Sequence, residues 1–231
     1  MEFGLELIIV SLFGGIVAMD TTASWQVMIS QPLVACSVVG LLFGNLQLGL
    51  LVGILLELPW LTEIPAGGTH ISEGNLGSIV TAGLAIHLVE HEINTENIAL
   101  IFSILWGILV TWIGEKLVES MRKTNVMFAY RADKAAAQAN YKKITLLNIG
   151  GIGHAFSLGT LLVAISFSLG TVILNHLVAL VPPFFDQAFG YGKIGMLALG
   201  AGTMIGMFLR RGNLRYFLVG LIIALLIYFI F

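Results

Sequence analysis

Long apolar runs separated by short polar breaks make up most of the chain. The runs lie at residues 5–19, 33–43, 46–61, 76–89, 98–113, 146–181, 194–209 and 216–231. A helix needs about 20 apolar residues to cross a bilayer, and shorter runs fit re-entrant or broken helices that are covered by protein. The pattern therefore predicts an all-α polytopic integral membrane protein with about six to eight membrane segments, some of them re-entrant or broken.

Composition supports this class and excludes several others. Of the 231 residues, 58% are hydrophobic and only 10% are charged. Phosphate-binding loops, catalytic triads, dinucleotide fingerprints and basic nucleic-acid-binding stretches are missing from the sequence. We therefore expect no autonomous enzyme, no cofactor and no nucleic-acid partner. The single cysteine, Cys36, lies in an apolar run and is expected to be a small buried side chain rather than a ligand or nucleophile.

Basic residues are distributed very unevenly. Residues 1–115 contain no lysine or arginine, whereas seven of the 11 basic residues lie between Lys116 and Lys143. Since positively charged connections stay on the cytoplasmic side, this segment is predicted to be cytoplasmic and the loop at 182–193 to lie on the opposite side. The division is then an N-terminal membrane region (1–115), a basic connector with a surface helix (116–145) and a C-terminal membrane region (146–231). The connector is either a docking surface for a soluble partner or a plain solvated connection.

Two further expectations concern the helices around the connector. The first apolar run lacks a basic leader and a small-residue cleavage site, so we expect a retained first helix rather than a cleaved signal peptide. The run at 146–181 is long enough for a full span plus a broken or tilted piece, with its five glycines as flexible points.

A polar site is predicted where the second and third apolar runs meet the loop that follows them. A carboxylate at membrane depth is costly unless it faces protein or water, and Glu57 lies near the end of such a run. A glycine- and proline-containing loop follows and suits a hairpin tip that lines a cavity. The candidate site residues are Glu57, Trp60, Thr69, His70, Glu73 and Asn75, joined by Asp20 and Gln26 from the first polar break.

Each of these candidates has a simpler alternative. Glu57 could serve only to bind backbone donors at a broken helix, and His70 could be an exposed loop histidine. The cluster His87, Glu90, His91 and Glu92 suggests a metal site, but the sequence shows no second cluster to complete it. We therefore expect no metal and interpret that cluster as a hydrated helix end.

The stretch QPLVACSVVGLLFGNLQLGLLVGILLELPWL, followed by IPAGGTHISEGNLGSIVTAGLAI, resembles the membrane subunit IIC of the mannose/fructose/sorbose family of the bacterial sugar phosphotransferase system. The resemblance covers residues 15–87 and rests on the spacing of five residues, namely Gly40, Gly44, Gly49, Gly53 and Glu57.

Three departures from the family pattern bear on substrate. Gln31 stands where the family has arginine, Asn45 where it has aspartate, and residues 70–73 where it has Pro-Pro-Asp.

The resemblance implies a sugar-translocating subunit in the bacterial cytoplasmic (inner) membrane. Its expected partners are a IID-like membrane subunit, soluble IIA and IIB subunits that carry out phosphoryl transfer, a hexose-type sugar and further copies of itself. A neutral polyol needs several hydrogen-bonding side chains and an aromatic face, which the candidate residues provide. The alternative is a family-derived membrane scaffold or an uncoupled facilitator without phosphotransfer.

Overall fold

The computed structural model describes residues 2–60, 74–208 and 214–230, and these ranges contain helices but no strand. The helices are α1 (Phe3–Ala18), α2 (Pro32–Phe43), α3 (Leu46–Trp60), α4 (Gly74–Glu90), α5 (Glu96–Ala137), α6 (Tyr141–Ala179), α7 (Asp186–Phe208) and α8 (Leu214–Ile230). A π-helical turn, Met19–Ala23, continues α1, and a 3-10 turn, Pro183–Phe185, precedes α7. The predicted all-α class is confirmed.

Helices α2 and α3 form a tight hairpin. Gly44 has φ of 84°, a left-handed conformation that glycine adopts without strain, and the side chain of Asn45 accepts a hydrogen bond from the amide of Leu48. A Cβ on Gly49 would lie 2.5 Å from the carbonyl oxygen of Cys36, so only glycine permits this approach of the two backbones. With 12 and 15 residues, the helices rise about 18 and 22 Å, less than the roughly 30 Å of a hydrocarbon core.

Helix α4 occupies the centre of the bundle. It packs against α1, α2, α3, α5 and α6, and fourteen of its 17 residues are buried. Its contact with α5 is close because Gly77 and Gly107 face each other at the crossing. These two glycines therefore lie between helices.

Helices α5 and α6 are much longer than a bilayer requires. They contain 42 and 39 residues, which corresponds to about 63 and 58 Å. A turn at residues 138–140, with Ala139 at φ of 51°, joins them. The surface helix expected in the connector is formed by the exposed end of α5 and the start of α6, with this turn between them.

The expected break in the 146–181 run is wrong, since α6 is continuous from Tyr141 to Ala179. Two of its glycines are packing positions rather than flexible points. A Cβ on Gly159 would collide with Ala18, and one on Gly170 would lie 2.7 Å from Nε1 of Trp106. A helix keeps its backbone hydrogen bonds in apolar surroundings, where no water competes for them.

Three described stretches are long and apolar enough to cross a membrane: Phe3–Thr21, Glu96–Ala137 and Tyr141–Ala179. Helix α7 packs on α3 and α5, and Thr203 donates a hydrogen bond to the carbonyl oxygen of Leu58. Helix α8 packs only marginally against the other described helices.

Candidate functional site

The π-helical turn carries a buried carboxylate that shapes the loop behind it. The side chain of Asp20 is 2% exposed, and its two oxygens accept hydrogen bonds from the amides of Val27 (2.7 Å) and Ser30 (2.9 Å). Charge-assisted hydrogen bonds of this kind are stronger than neutral ones. Asp20 therefore holds the irregular segment 24–31 in the conformation that brings the chain back to α2.

A second carboxylate binds the start of α2. Oε2 of Glu57 accepts a hydrogen bond from the amide of Leu33 at 3.0 Å. The first amides of a helix lack partners within the helix, and its N-terminus carries partial positive charge, so a carboxylate is favourable there. Pro59 follows within the last turn of α3 and deprives the carbonyl oxygen of Leu55 of its usual donor. The end of α3 thus offers polar groups at a half-buried position in an otherwise apolar helix.

The start of α4 contributes a third polar side chain. Nδ2 of Asn75 donates to Oγ1 of Thr21 at 3.4 Å, and Thr21 is adjacent to Asp20 in the π-helical turn. Ser30 and Leu33, which donate to Asp20 and Glu57 respectively, are only three residues apart. Two carboxylates therefore bind amides at or just before the start of α2, and Asn75 binds the turn that carries one of them. We call Asp20, Glu57 and Asn75 the polar layer.

The remaining candidates differ in what the structure describes. Gln26 is exposed in the loop that Asp20 holds, with φ of 53°. Trp60 ends α3, and its side chain lies outside the described residues. Thr69, His70 and Glu73 also lie outside them, together with the expected hairpin tip at 65–68. In the sequence, the segment 61–73 connects α3 to α4 and separates Glu57 from Asn75.

The sequence reasoning missed two residues of this arrangement. Thr21 accepts from Asn75 and donates to the carbonyl oxygen of Val17 at 2.9 Å, and Ser30 is buried while its amide binds Asp20. Both belong to the polar break between the first two apolar runs. That break was the available signal, but only the fold shows which of its residues point inward.

A cavity of about 490 Å³ adjoins the π-helical turn at Ala23 and extends between the ends of α5 and α6. Asn125, Asn148 and Thr145 contribute polar groups to its wall, and Phe128 contributes an aromatic ring. The described residues that line this cavity are neutral. Its volume would accommodate a small polar molecule.

Comparison with known proteins identifies the class. The family model of the sorbose-specific IIC component of the phosphotransferase system matches residues 5–230. The sorbose-specific EIIC component of Klebsiella pneumoniae is 25% identical over 217 residues, which cover 94% of this chain and 78% of that protein. The mannose-specific EIIC component of Escherichia coli K12 is 24% identical over 222 residues, covering 95% and 80%. The fructose permease IIC component of Bacillus subtilis is 26% identical over 198 residues, covering 84% and 69%.

Two solved structures share the fold. A chain described as a membrane protein superposes with a TM-score of 0.74 and 21% identity, covering 97% of this chain and 87% of that one. A chain of the mannose transporter ManYZ, solved with microcin E492, gives a TM-score of 0.61 and 21% identity, covering 97% and 88%.

The fold and the matches define a membrane component of a sugar permease. In particular, the chain belongs to the sorbose-specific IIC family of the sugar phosphotransferase system. It is an EIIC component of the mannose/fructose/sorbose type in the bacterial cytoplasmic membrane, and this interpretation is favoured over a family-derived scaffold.

Proposed function

We propose that the polar layer forms part of the path along which this subunit moves a hexose-type sugar. The observation that supports it most directly is the pair of carboxylates, Asp20 and Glu57, each bound to backbone amides at the start or turn of a broken helix. Intramembrane carboxylates are costly and usually serve a function. An ionised carboxylate has about four acceptor positions, so one bound to one or two amides can still accept hydroxyl protons of a sugar.

The other candidates complete the proposed site. Asn75 supplies an amide that binds Thr21, the residue after Asp20, and Gln26 lies on the loop that Asp20 holds. Trp60 would provide an aromatic face, and Thr69, His70 and Glu73 would bring further hydrogen-bonding groups from the segment between α3 and α4. The neutral donors and acceptors of this set can bind the hydroxyl groups of a neutral polyol, and its three carboxylates can accept hydroxyl protons.

The substitution Glu57→Gln tests the site. The amide oxygen can still accept from Leu33, so the start of α2 stays bound, but the charge is lost and an acceptor is replaced by a donor. A hydrogen bond to a charged group contributes about 1.5 to 3 kcal/mol, so the apparent dissociation constant for the sugar should rise roughly ten- to a hundredfold. The measurement is sugar binding by the purified complex, with expression recorded separately.

Two control variants distinguish site from scaffold. Glu119→Gln makes the same change in an exposed ion pair with Lys123 and should leave sugar binding unaltered. Cys36→Ala removes a buried thiol that donates to the carbonyl oxygen of Ser78 and should also have little effect on affinity. Low expression of Glu57→Gln with normal affinity in the protein that assembles would remove Glu57 from the site and support a purely structural role.

We further propose that the chain works with a IID-like membrane subunit and with soluble IIA and IIB subunits, which would carry out phosphoryl transfer. Support comes from the fold shared with a chain of the mannose transporter ManYZ. The apolar surfaces of α5 to α8, which no described helix covers, also leave room for a membrane partner. The basic connector at 116–145 is the proposed docking region for the soluble subunits, and association between copies of the complex is also proposed.

The orientation follows from the same basic residues. The turn between α5 and α6 is proposed to be cytoplasmic, and residues 182–193 to lie on the opposite side. The loop expected at 182–193 is instead a 3-10 turn followed by the start of α7. Gln138 and Gln187 are exposed at these two places. Single cysteines there, in a Cys36→Ala background, should show opposite accessibility to an impermeant thiol reagent in intact cells. Equal labelling from outside would contradict the orientation.

A further inference from the structure

Two helices bring three metal-ligating side chains together at the end of the bundle away from the α5–α6 turn. Glu6 is on α1 and His87 is in the last turn of α4. His91 is the first residue after α4, which ends at Glu90. One potential ligand atom from each residue lies within 4.8 Å of the other two. This cluster lies apart from the polar layer, because α4 has the layer at its first residues and the cluster at its last.

The cluster combines buried and accessible ligands. Nδ1 of His87 and Oε2 of Glu6 are 2.5 Å apart, and both side chains are almost fully buried. The rings of His87 and His91 are tilted against each other, with centroids 4.2 Å apart. Nδ1 of His91 lies 2.9 Å from the carbonyl oxygen of His87, which leaves Nε2 as its ligand nitrogen. Since His91 is exposed, an ion from solution could reach the site.

The donor set selects a class of ion. Two imidazole nitrogens and one carboxylate oxygen suit zinc and neighbouring divalent transition metals, whereas magnesium and calcium prefer oxygen ligands alone. Ligand atoms bound at about 2.0 to 2.2 Å around zinc are roughly 3.3 to 3.6 Å apart, so small side-chain adjustments would close the present arrangement. Histidines four residues apart at a helix end already lie on one face.

We propose that Glu6, His87 and His91 bind one divalent ion of the zinc class, with water completing the coordination. The ion replaces the proton that Glu6 and His87 share, so binding releases that proton to solvent. Bound metal would tie α1 to the end of α4 and to the turn before α5. The sequence argued against a metal because residues 87–92 lacked a complementary ligand, and the fold supplies it from Glu6, which is 81 residues away.

The test uses the purified complex, prepared with an affinity tag that contains no histidines and treated with chelator before desalting. Titration with zinc chloride, followed by calorimetry and by elemental analysis after gel filtration, should give one ion per chain. His91→Ala removes an exposed ligand without disturbing the core and should weaken zinc binding by tenfold or more. His176→Ala is the matched control, because it is an exposed histidine near the same end of the bundle and outside the cluster.

A second variant tests the buried carboxylate of the proposed metal site. Glu6→Gln preserves a hydrogen-bond acceptor for His87 but replaces the carboxylate by a carboxamide, which is a much weaker zinc ligand, so it should weaken zinc binding by tenfold or more while the complex still assembles. If that variant does not fold, the comparison of His91→Ala with His176→Ala decides by itself. Absence of zinc binding by the unsubstituted complex, or equal zinc binding by His91→Ala, would overturn the proposal and leave Glu6 and His87 as a structural hydrogen bond between α1 and α4.

Discussion

Helices α4 and α8 have the same length, 17 residues, and occupy opposite situations in the molecule. Fourteen residues of α4 are buried against five neighbouring helices. Among residues 215–227 of α8, whose side chains the structure describes, none is buried and Phe217 alone is half-buried. Yet α8 is the more uniformly apolar of the two, and most of its residues are leucine, isoleucine or aromatic.

The difference arises because lipid is as apolar as leucine, so apolar side chains gain little by facing other helices. Packing instead favours small residues that let two backbones approach and polar groups that bind across the contact. In α4, Gly77 lies against Gly107 of α5, and the hydroxyl of Thr81 lies 2.9 Å from the carbonyl oxygen of Gly77 and 3.3 Å from that of Ser103. Between α4 and α8, the number of small and hydroxyl-bearing residues thus indicates burial better than hydrophobicity does.

The largest expected effect comes from replacing a glycine at the α4–α5 crossing by a larger residue. Any side chain at position 107 would collide with Oγ1 of Thr81 and begin 2.8 Å from the carbonyl oxygen of Gly77. Gly107→Leu should therefore prevent assembly, with loss of the monodisperse peak in detergent gel filtration. Gly220→Leu on α8, where a Cβ would meet nothing within 4 Å, should give normal protein. Normal assembly of Gly107→Leu would show that the α4–α5 contact does not require small residues.

A smaller effect is expected from removing core volume. Leu84 on α4 is 0% exposed and Leu225 on α8 is 49% exposed. Leu84→Ala should cost about 2 to 5 kcal/mol because a cavity remains. Leu225→Ala should change stability by no more than about 0.5 kcal/mol, as for a surface substitution. Thermal unfolding of the two purified variants measures the difference, and equal losses would show that α8 is covered by a partner in the assembled complex.

The smallest effect concerns a hydroxyl. Thr81→Val keeps the side-chain shape and removes the hydrogen bonds to Gly77 and Ser103. Hydrogen bonds between membrane helices contribute on average about 0.6 kcal/mol, so a loss of that order is expected in thermal unfolding. The reverse change on α8, Val219→Thr, should be neutral, because the hydroxyl can bind a carbonyl oxygen of its own helix. A loss above about 3 kcal/mol for Thr81→Val would show that the contact depends on the hydroxyl more than on its small residues.

Helix positions were largely predictable, because apolar run length and polar breaks follow directly from the thickness of the bilayer. The break at residues 44 and 45 was visible as the gap between two apolar runs, and the glycine there adopts the left-handed conformation found in the structure. The continuity of α6 was not predictable from composition. The sequence is compatible with either role for its glycines, flexible point or packing position. Only the neighbouring side chains show that Gly159 and Gly170 are packing positions.

The sequence by itself determined the membrane class, the approximate helix boundaries, the family resemblance and the polar character of Asp20, Glu57 and Asn75, because each depends on residue type and local spacing. Only the tertiary structure decided which polar groups meet. The amides that Asp20 and Glu57 bind, and the approach of Glu6 to His87 across 81 residues, result from how the helices pack. Packing between helices in lipid depends on shape complementarity over many distant positions, and no local pattern in the chain encodes it.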